Sequence, residues 1–171
     1  MIRRRLILAA ALWPGYSFAQ SCGKPTEWQT EGPFFKPQSP ERASLVDGKA
    51  GTLLVSGRVL GPDCKPVAHA LLDFWHADEK GTYDNQGFRY RGHQFTDADG
   101  RYRLETIVPA EYPGRARHIH VKVQRPGGRI LTTQLYFPNN PTNEADSIFR
   151  PELVMQMATR GQGVYDFVVA T

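Results

Sequence analysis

Cysteine is nearly absent from this chain: its 171 residues hold two, Cys22 and Cys64. That excludes a disulfide-dense scaffold and a cysteine-rich zinc site. In an oxidising compartment the pair is expected to form one bridge, tying an N-terminal arm to the domain body. Long apolar runs are missing as well. The one candidate, Leu6 to Trp13, is too short for a permanent membrane span. It follows the basic head Arg3-Arg4-Arg5 and precedes Ser17-Phe18-Ala19, a small-x-small cleavage pattern. Residues 1–19 therefore read as an export signal, and the expected location is periplasmic or secreted. Arg-Arg-Arg-Leu-Ile loosely resembles a twin-arginine signal.

Charge excess is also missing once that leader is set aside. The formal balance is +4, but residues 1–19 hold three of the 21 basic residues and none of the 17 acidic ones, which leaves +1. A nucleic-acid partner or an anionic membrane gets no support from such a balance. Internal repeats, low-complexity segments, Gly-rich phosphate loops, nucleophile elbows and zinc-protease helix motifs are absent.

What is present is a chain of one-domain size in short β-like runs. Residues 20–50, rich in Pro, Gly, Ser and charge, read as an extended arm. Its Phe34-Phe35 pair beside Gly32-Pro33 is expected to pack on the domain, residues 51–171. The spacing predicts strands over Leu53–Leu60, Val67–Trp75, Arg101–Val108, His118–Val123, Arg129–Phe137 and Val164–Val169, with turns at Gly61-Pro62-Asp63, Thr96 to Gly100 and Pro126-Gly127-Gly128. A short helix is expected near Asp146–Met157, interrupted by Pro151. Many short strands with turns at this spacing predict an all-β protein, a two-sheet β-sandwich with an extended N-terminal arm and long loops carrying the site.

The densest chemistry lies in Tyr112-Pro113-Gly114-Arg115-Ala116-Arg117-His118-Ile119-His120. On a strand, His118, His120 and Lys122 share one face, and the two imidazoles stand roughly 7 Å apart at the backbone. That spacing suits two ligands of one ion, with Tyr112 as a third. An exposed strand face carrying two histidines by chance fits the isolated motif equally well. His69, His76 and His93 read as surface or loop histidines, Arg117 as a solvated neighbour, Trp75 and Tyr136 as core. Asp97 and Asp99 read as turn residues and not as a Ca²⁺ site.

Thr-Glu-Gly-Pro-Phe-Phe (30–35), Ala70 to Trp75 leading to Gly81-Thr82-Tyr83, Arg91-Gly92 before Thr96-Asp97-x-Asp99-Gly100, Thr106-Ile107-x-Pro109, Tyr112-Pro113 with Arg115 and His118-Ile119-His120, and Thr133 to Phe137 occur in an ordered series. The series resembles the intradiol ring-cleavage dioxygenases, in their secreted single-domain branch. The resemblance implies a β-sandwich holding one non-haem Fe(III) by Tyr83, Tyr112, His118 and His120. Phenolate, a hard anionic donor, suits ferric iron better than zinc. It further implies O2 and a catechol-type aromatic as substrates, a displaceable Tyr112, Arg115 stabilising the anionic ring, and Gln134 as a polar pocket residue. A homo-oligomer is compatible with it. The Tyr83–Thr96 and Tyr112–His118 segments are short against the familiar cytosolic enzymes, and Pro109-Ala110-Glu111 replaces a more usual Pro-Gly-Pro, so the particular catechol stays open. The rival readings are an exported transthyretin-like binding or structural module without catalysis, and the same site loaded with copper or zinc.

Overall fold

The computed structural model describes residues 23–46 and 51–170. Within them, strand pairing follows from alternation of apolar residues. Strands β1 (Leu53–Leu60), β4 (Arg101–Thr106), β7 (Gln156–Thr159), β8 (Gln162–Val164) and β9 (Phe167–Val168) form one sheet. Its order is β4-β1-β8-β7, with β9 also on β1. Strands β2 (Leu71–Trp75), β3 (Arg91–Phe95), β5 (His118–Gln124) and β6 (Ile130–Tyr136) form the second, in the order β3-β2-β5-β6.

In β1, β2, β4 and β5 alternate residues turn inward, and most of them are apolar. Leu53, Val55, Val59, Tyr102 and Leu104 from the first sheet meet Leu72, Phe74, Ile119, Val121, Val123 and Leu135 from the second in one buried core. Fully burying an aliphatic or Phe side chain contributes about 1.5–3 kcal/mol, so this two-layer core defines the fold. The expected all-β, two-sheet β-sandwich is what the chain adopts.

The outer face of the second sheet carries the polar residues. Strand register sets Arg91, Trp75, His120 and Gln134 in one row across β3-β2-β5-β6. His118 and Tyr136 form the row to one side, and His93, Asp73, Lys122 and Thr132 the row to the other. The arm lies over this face. Gln29 N–H donates to Thr132 O (2.8 Å), Ser39 Oγ donates to Asp73 Oδ1 (2.8 Å), and Arg42 N–H donates to His93 O (2.8 Å). Lys122 pairs with Glu31, and its ammonium sits 3.6 Å from the Phe35 ring centroid. The arm thus packs its aromatics on the domain, as its composition suggests.

Several boundaries differ from expectation. The second strand begins at Leu71, not Val67, because His69 adopts a positive φ of 54° that ends any extended run. The fourth stops at Thr106. Strand β3 is an addition: its Arg-Gly-His-Gln-Phe has no apolar alternation, and Gly92 is needed where Leu45 of the arm presses in. No α-helix forms over 146–157. That segment makes turns, a single 3-10 turn at Pro151–Leu153 and strand β7, because Val154 bridges to Tyr136 and β7 pairs with β8. The closing strand is two short strands, β8 and β9. The export leader and Cys22 lie outside the described residues, and with them the Cys22–Cys64 bridge; Cys64 is exposed in the turn after β1. Among the described residues no helix is long and apolar enough to cross a membrane.

Candidate metal centre

Two loops and one strand build the site. The loop between β2 and β3 carries Tyr83 and is ordered by carboxylates accepting from its own backbone. Asp78 Oδ1 accepts from Lys80 N and Thr82 N (both 2.9 Å), and Asp78 Oδ2 pairs with Arg89 (2.7 Å). Asp84 accepts from the N–H groups of Gln86, Gly87 and Arg89, and the Gly87 and Arg89 bonds hold its carboxyl down to about 2. Gly81 sits at φ 78°, and a Cβ there would run into the Glu111 carbonyl. Only glycine therefore lets this loop close on the loop of Tyr112. Ala110 N–H donates to Asp78 O (3.0 Å) and fastens the two loops together.

On β5, alternation aims His118 and His120 outward, both buried beneath the arm and loops. His118 Nδ1 donates to Ala116 O (2.6 Å), since a carbonyl can only accept. Its Nε2 is then left with a lone pair. That atom lies 3.0 Å from His120 Nε2 and 3.2 Å from Tyr83 Oη. Trp75 stacks on His120 (centroids 4.7 Å, planes 6° apart) and fixes the ring. Phe34 of the arm stacks on Tyr83 (4.3 Å, 12°) and meets Tyr112 edge-on at 5.2 Å. The Tyr83 and Tyr112 rings are 5.9 Å apart, and Tyr112 is half-buried.

Burial sets the protonation of these groups. Desolvation, with help from the Arg115 charge, pulls His118 down to about 4, and desolvation with the His118 charge holds His120 well below its ordinary range. Both imidazoles are neutral at pH 7, the form that ligates metals. Desolvation also pushes the Tyr83 phenol upward, against the opposing pull of Arg115 and Arg91. A cation among these atoms would reverse that penalty and meet the lone pair of His118 Nε2. Among the described residues no group of three or more His, Cys, Asp or Glu is placed to hold a metal, and the donors that stand beside the two imidazoles are phenols.

Arg115 and Gln134 come together beside this cluster. Arg115 Nη2 donates to Gln134 Oε1 (2.6 Å) and to Tyr136 Oη (3.1 Å), and Gln134 is His120's partner in the β5–β6 register. Gln134 Nε2 donates to Thr30 O of the arm (3.0 Å). Asp146, unremarked in the sequence except as the start of an expected helix, orients the arginine. Its Oδ2 accepts from Arg115 Nε and from Ala116 N–H (both 2.9 Å), and its Oδ1 from Ile148 N–H (3.1 Å). A cleft of about 390 Å³ opens against Tyr112, Arg115 and Asp146, rimmed by Lys80, Glu111 and Thr142.

All six residues singled out in the sequence fall in one region. Tyr83, His118 and His120 converge at hydrogen-bond distance, Tyr112 stands beside Tyr83, and Arg115 and Gln134 form a bonded pair alongside. Three other readings need correction, the first being His93, which is no surface or loop histidine but lies half-buried on strand β3 with its Nδ1 donating to Ser39 O (2.7 Å). His76 is not a surface histidine: it is 1 % exposed, its Nδ1 donates to Ala77 O (2.7 Å), its Nε2 accepts from Thr106 Oγ1 (2.7 Å), and desolvation holds it down to about 4. Arg117 is half-buried, with its Nε enclosed and unpartnered among the described residues, and is not a solvated neighbour. Tyr136, read as core, is buried and also bonds the Arg115–Gln134 pair. Of the supporting residues, Phe34 carried a sequence signal in its Gly-Pro-Phe-Phe context; Asp146 and Arg91 carried none that named a role.

Comparisons with known proteins agree with this fold. A family profile described as Dioxygenase covers residues 30–169. Catechol 1,2-dioxygenase 2 of Acinetobacter lwoffii is 35 % identical over 65 % of this chain and 50 % of its own. Hydroxyquinol 1,2-dioxygenase of a Rhizobium species is 33 % identical over 69 % and 50 % respectively. The chain spans about half the length of these curated relatives. The solved dioxygenase domain of a dioxygenase carbohydrate-binding protein fusion from Streptomyces sp. SirexAA-E superposes with a TM-score of 0.82 at 55 % identity, covering 86 % of this chain and 99 % of that one.

Proposed function

The chain belongs to the intradiol dioxygenase family, and from that premise we propose that it is a non-haem Fe(III) enzyme inserting both atoms of O2 into a catechol-type aromatic. The ring opens between the two hydroxyl-bearing carbons to give a muconate-type diacid. The observation that carries the reading is that Tyr83 Oη (3.2 Å) and His120 Nε2 (3.0 Å) both approach His118 Nε2, with Tyr112 alongside.

Tyr83, Tyr112, His118 and His120 would hold the iron. Bound ferric iron supplies Lewis acidity and a place for electron density from the catecholate, which opens the ring to O2. The remaining work falls to the chain's own residues. Tyr112, the half-buried phenol at the cleft, is the donor best placed to leave and take a catechol proton at its oxygen. Arg115, oriented by Asp146, presents a fixed cation to the anionic ring, and such preorganised charge is commonly the largest catalytic effect. Gln134, tied to Arg115 and to Thr30, keeps the polar wall in register. Phe34 and Trp75 exclude water from the donors. Residues 1–19 as an export leader and a Cys22–Cys64 bridge belong to the same proposal, tested by N-terminal sequencing of the exported protein and by its non-reduced mass.

The functional test supplies catechol, protocatechuate and hydroxyquinol to the iron-loaded protein while O2 uptake and diacid formation are followed. One O2 consumed per diacid formed, with at least one of the three, is expected. No uptake with any of them by a protein carrying stoichiometric iron would overturn the assignment.

A further inference from the structure

Arg91 stands at the end of the row that runs through Trp75 and His120 to Gln134. It is 2 % exposed, and among the described residues no carboxylate lies within ion-pair distance of it. Burying a guanidinium without a paired anion is unfavourable, and a hydrophobic side chain of similar volume would fill the space at lower cost. The bonds it does make therefore bear on its role. Nε donates to Asp84 O (2.9 Å), one residue beyond Tyr83, and Nη1 donates to Phe34 O of the arm (2.6 Å). Nη2 is enclosed and, among the described residues, has no partner. The two segments it joins are those whose rings stack, Phe34 on Tyr83, and Phe34 also braces Tyr112.

We propose that Arg91 is a positioning residue, a buried fork that locks the arm and the Tyr83 loop to each other so that the arm sets the placement of the phenol donors. The inference rests on reading Tyr83 as a metal ligand. The arm is then part of the metal site's supporting shell and not only a cover. Lysine keeps the charge but cannot span both carbonyls, because its single nitrogen lacks the planar fork.

Arg91→Met and Arg91→Lys separate this role from simple stabilisation. In metal-free protein, amide hydrogen exchange at 30–36 and 78–86 is expected to rise about tenfold or more in Arg91→Met while β5 and β6 keep their protection, with a smaller rise in Arg91→Lys. In iron-loaded protein the visible phenolate-to-iron band shifts, and iron retention falls about 10- to 100-fold, the usual cost of losing a partner that orients a ligand. Wild-type exchange rates in both segments, or a uniform rise across both sheets with an unshifted band, would overturn the proposal. Should Arg91→Met not fold, Arg91→Lys and Phe34→Ala carry the same comparison. If the wild-type protein takes no iron, the functional assignment falls, and exchange in metal-free protein still decides the role of Arg91.

Discussion

Strand β5 presents two surfaces made by adjacent residues. Ile119, Val121 and Val123 enter the sandwich and are sealed by apolar side chains of the opposite sheet. His118, His120 and Lys122 face outward and are sealed by an arm and two loops. Both faces end up dry, by different means. The inner face relies on shape and area, whereas the outer face relies on matched polar atoms, with Trp75 Nε1, Arg91 Nη2 and His120 Nδ1 left without a partner among the described residues. The fold's stability and its chemistry therefore sit one residue apart and should be separable by substitution.

The largest separation is expected from His120→Ala. Iron binding and ring cleavage should fall to background while the metal-free protein melts close to wild type, measured by metal analysis and thermal denaturation. Ile119→Ala, on the other face of the same strand, should do the reverse. It should cost about 2–5 kcal/mol in denaturant unfolding, as buried large-to-small changes do, while the folded fraction keeps its visible band.

His76 sharpens the comparison by pH. Its folded value of about 4 lies below the ordinary 6.5, so between these values the unfolded chain binds a proton that the folded one refuses. Stability of the metal-free protein should be full above pH 6.5 and decline as pH falls toward 4. The shift corresponds to roughly 3 kcal/mol from this residue. Because His118 and His120 are held down over the same window, His76→Gln should lessen that slope of the unfolding profile without abolishing it. The smallest effect is expected at the arm's edge: Lys122→Met removes the Glu31 pair and the cation over Phe35, worth about 0.5–1 kcal/mol at a partly exposed site. Urea midpoints of the two proteins measure it.

How far the sequence spoke depended on which face it described. The inner face was legible because alternation is written locally: Leu53 to Leu60 and His118 to Val123 need no partner to be read as strands. The donors were legible as an ordered series, and their types suited one hard cation. What escaped depends on contacts distant in sequence. Asp146 reaches Arg115 across 31 residues, and nothing near it marks an arginine partner. His76 looks like a surface residue until Thr106 of the other sheet is seen against it. Strand β3 was hidden because its apolar partner at Gly92 is Leu45 of the arm and not a neighbour in the strand. The expected helix over 146–157 lost to pairing that only the assembled sheets provide, Val154 with Tyr136 of the second and β7 with β8 of the first, with Pro151 already opposing it.

Iron titration into metal-free protein, followed in the visible range, bears most directly on the claim that the outer face of β5 is a mixed phenolate and imidazole ferric site. One equivalent should produce a reddish charge-transfer band that Tyr83→Phe and Tyr112→Phe each shift or weaken. A colourless protein with all four donors intact, or a band indifferent to both substitutions, would contradict it.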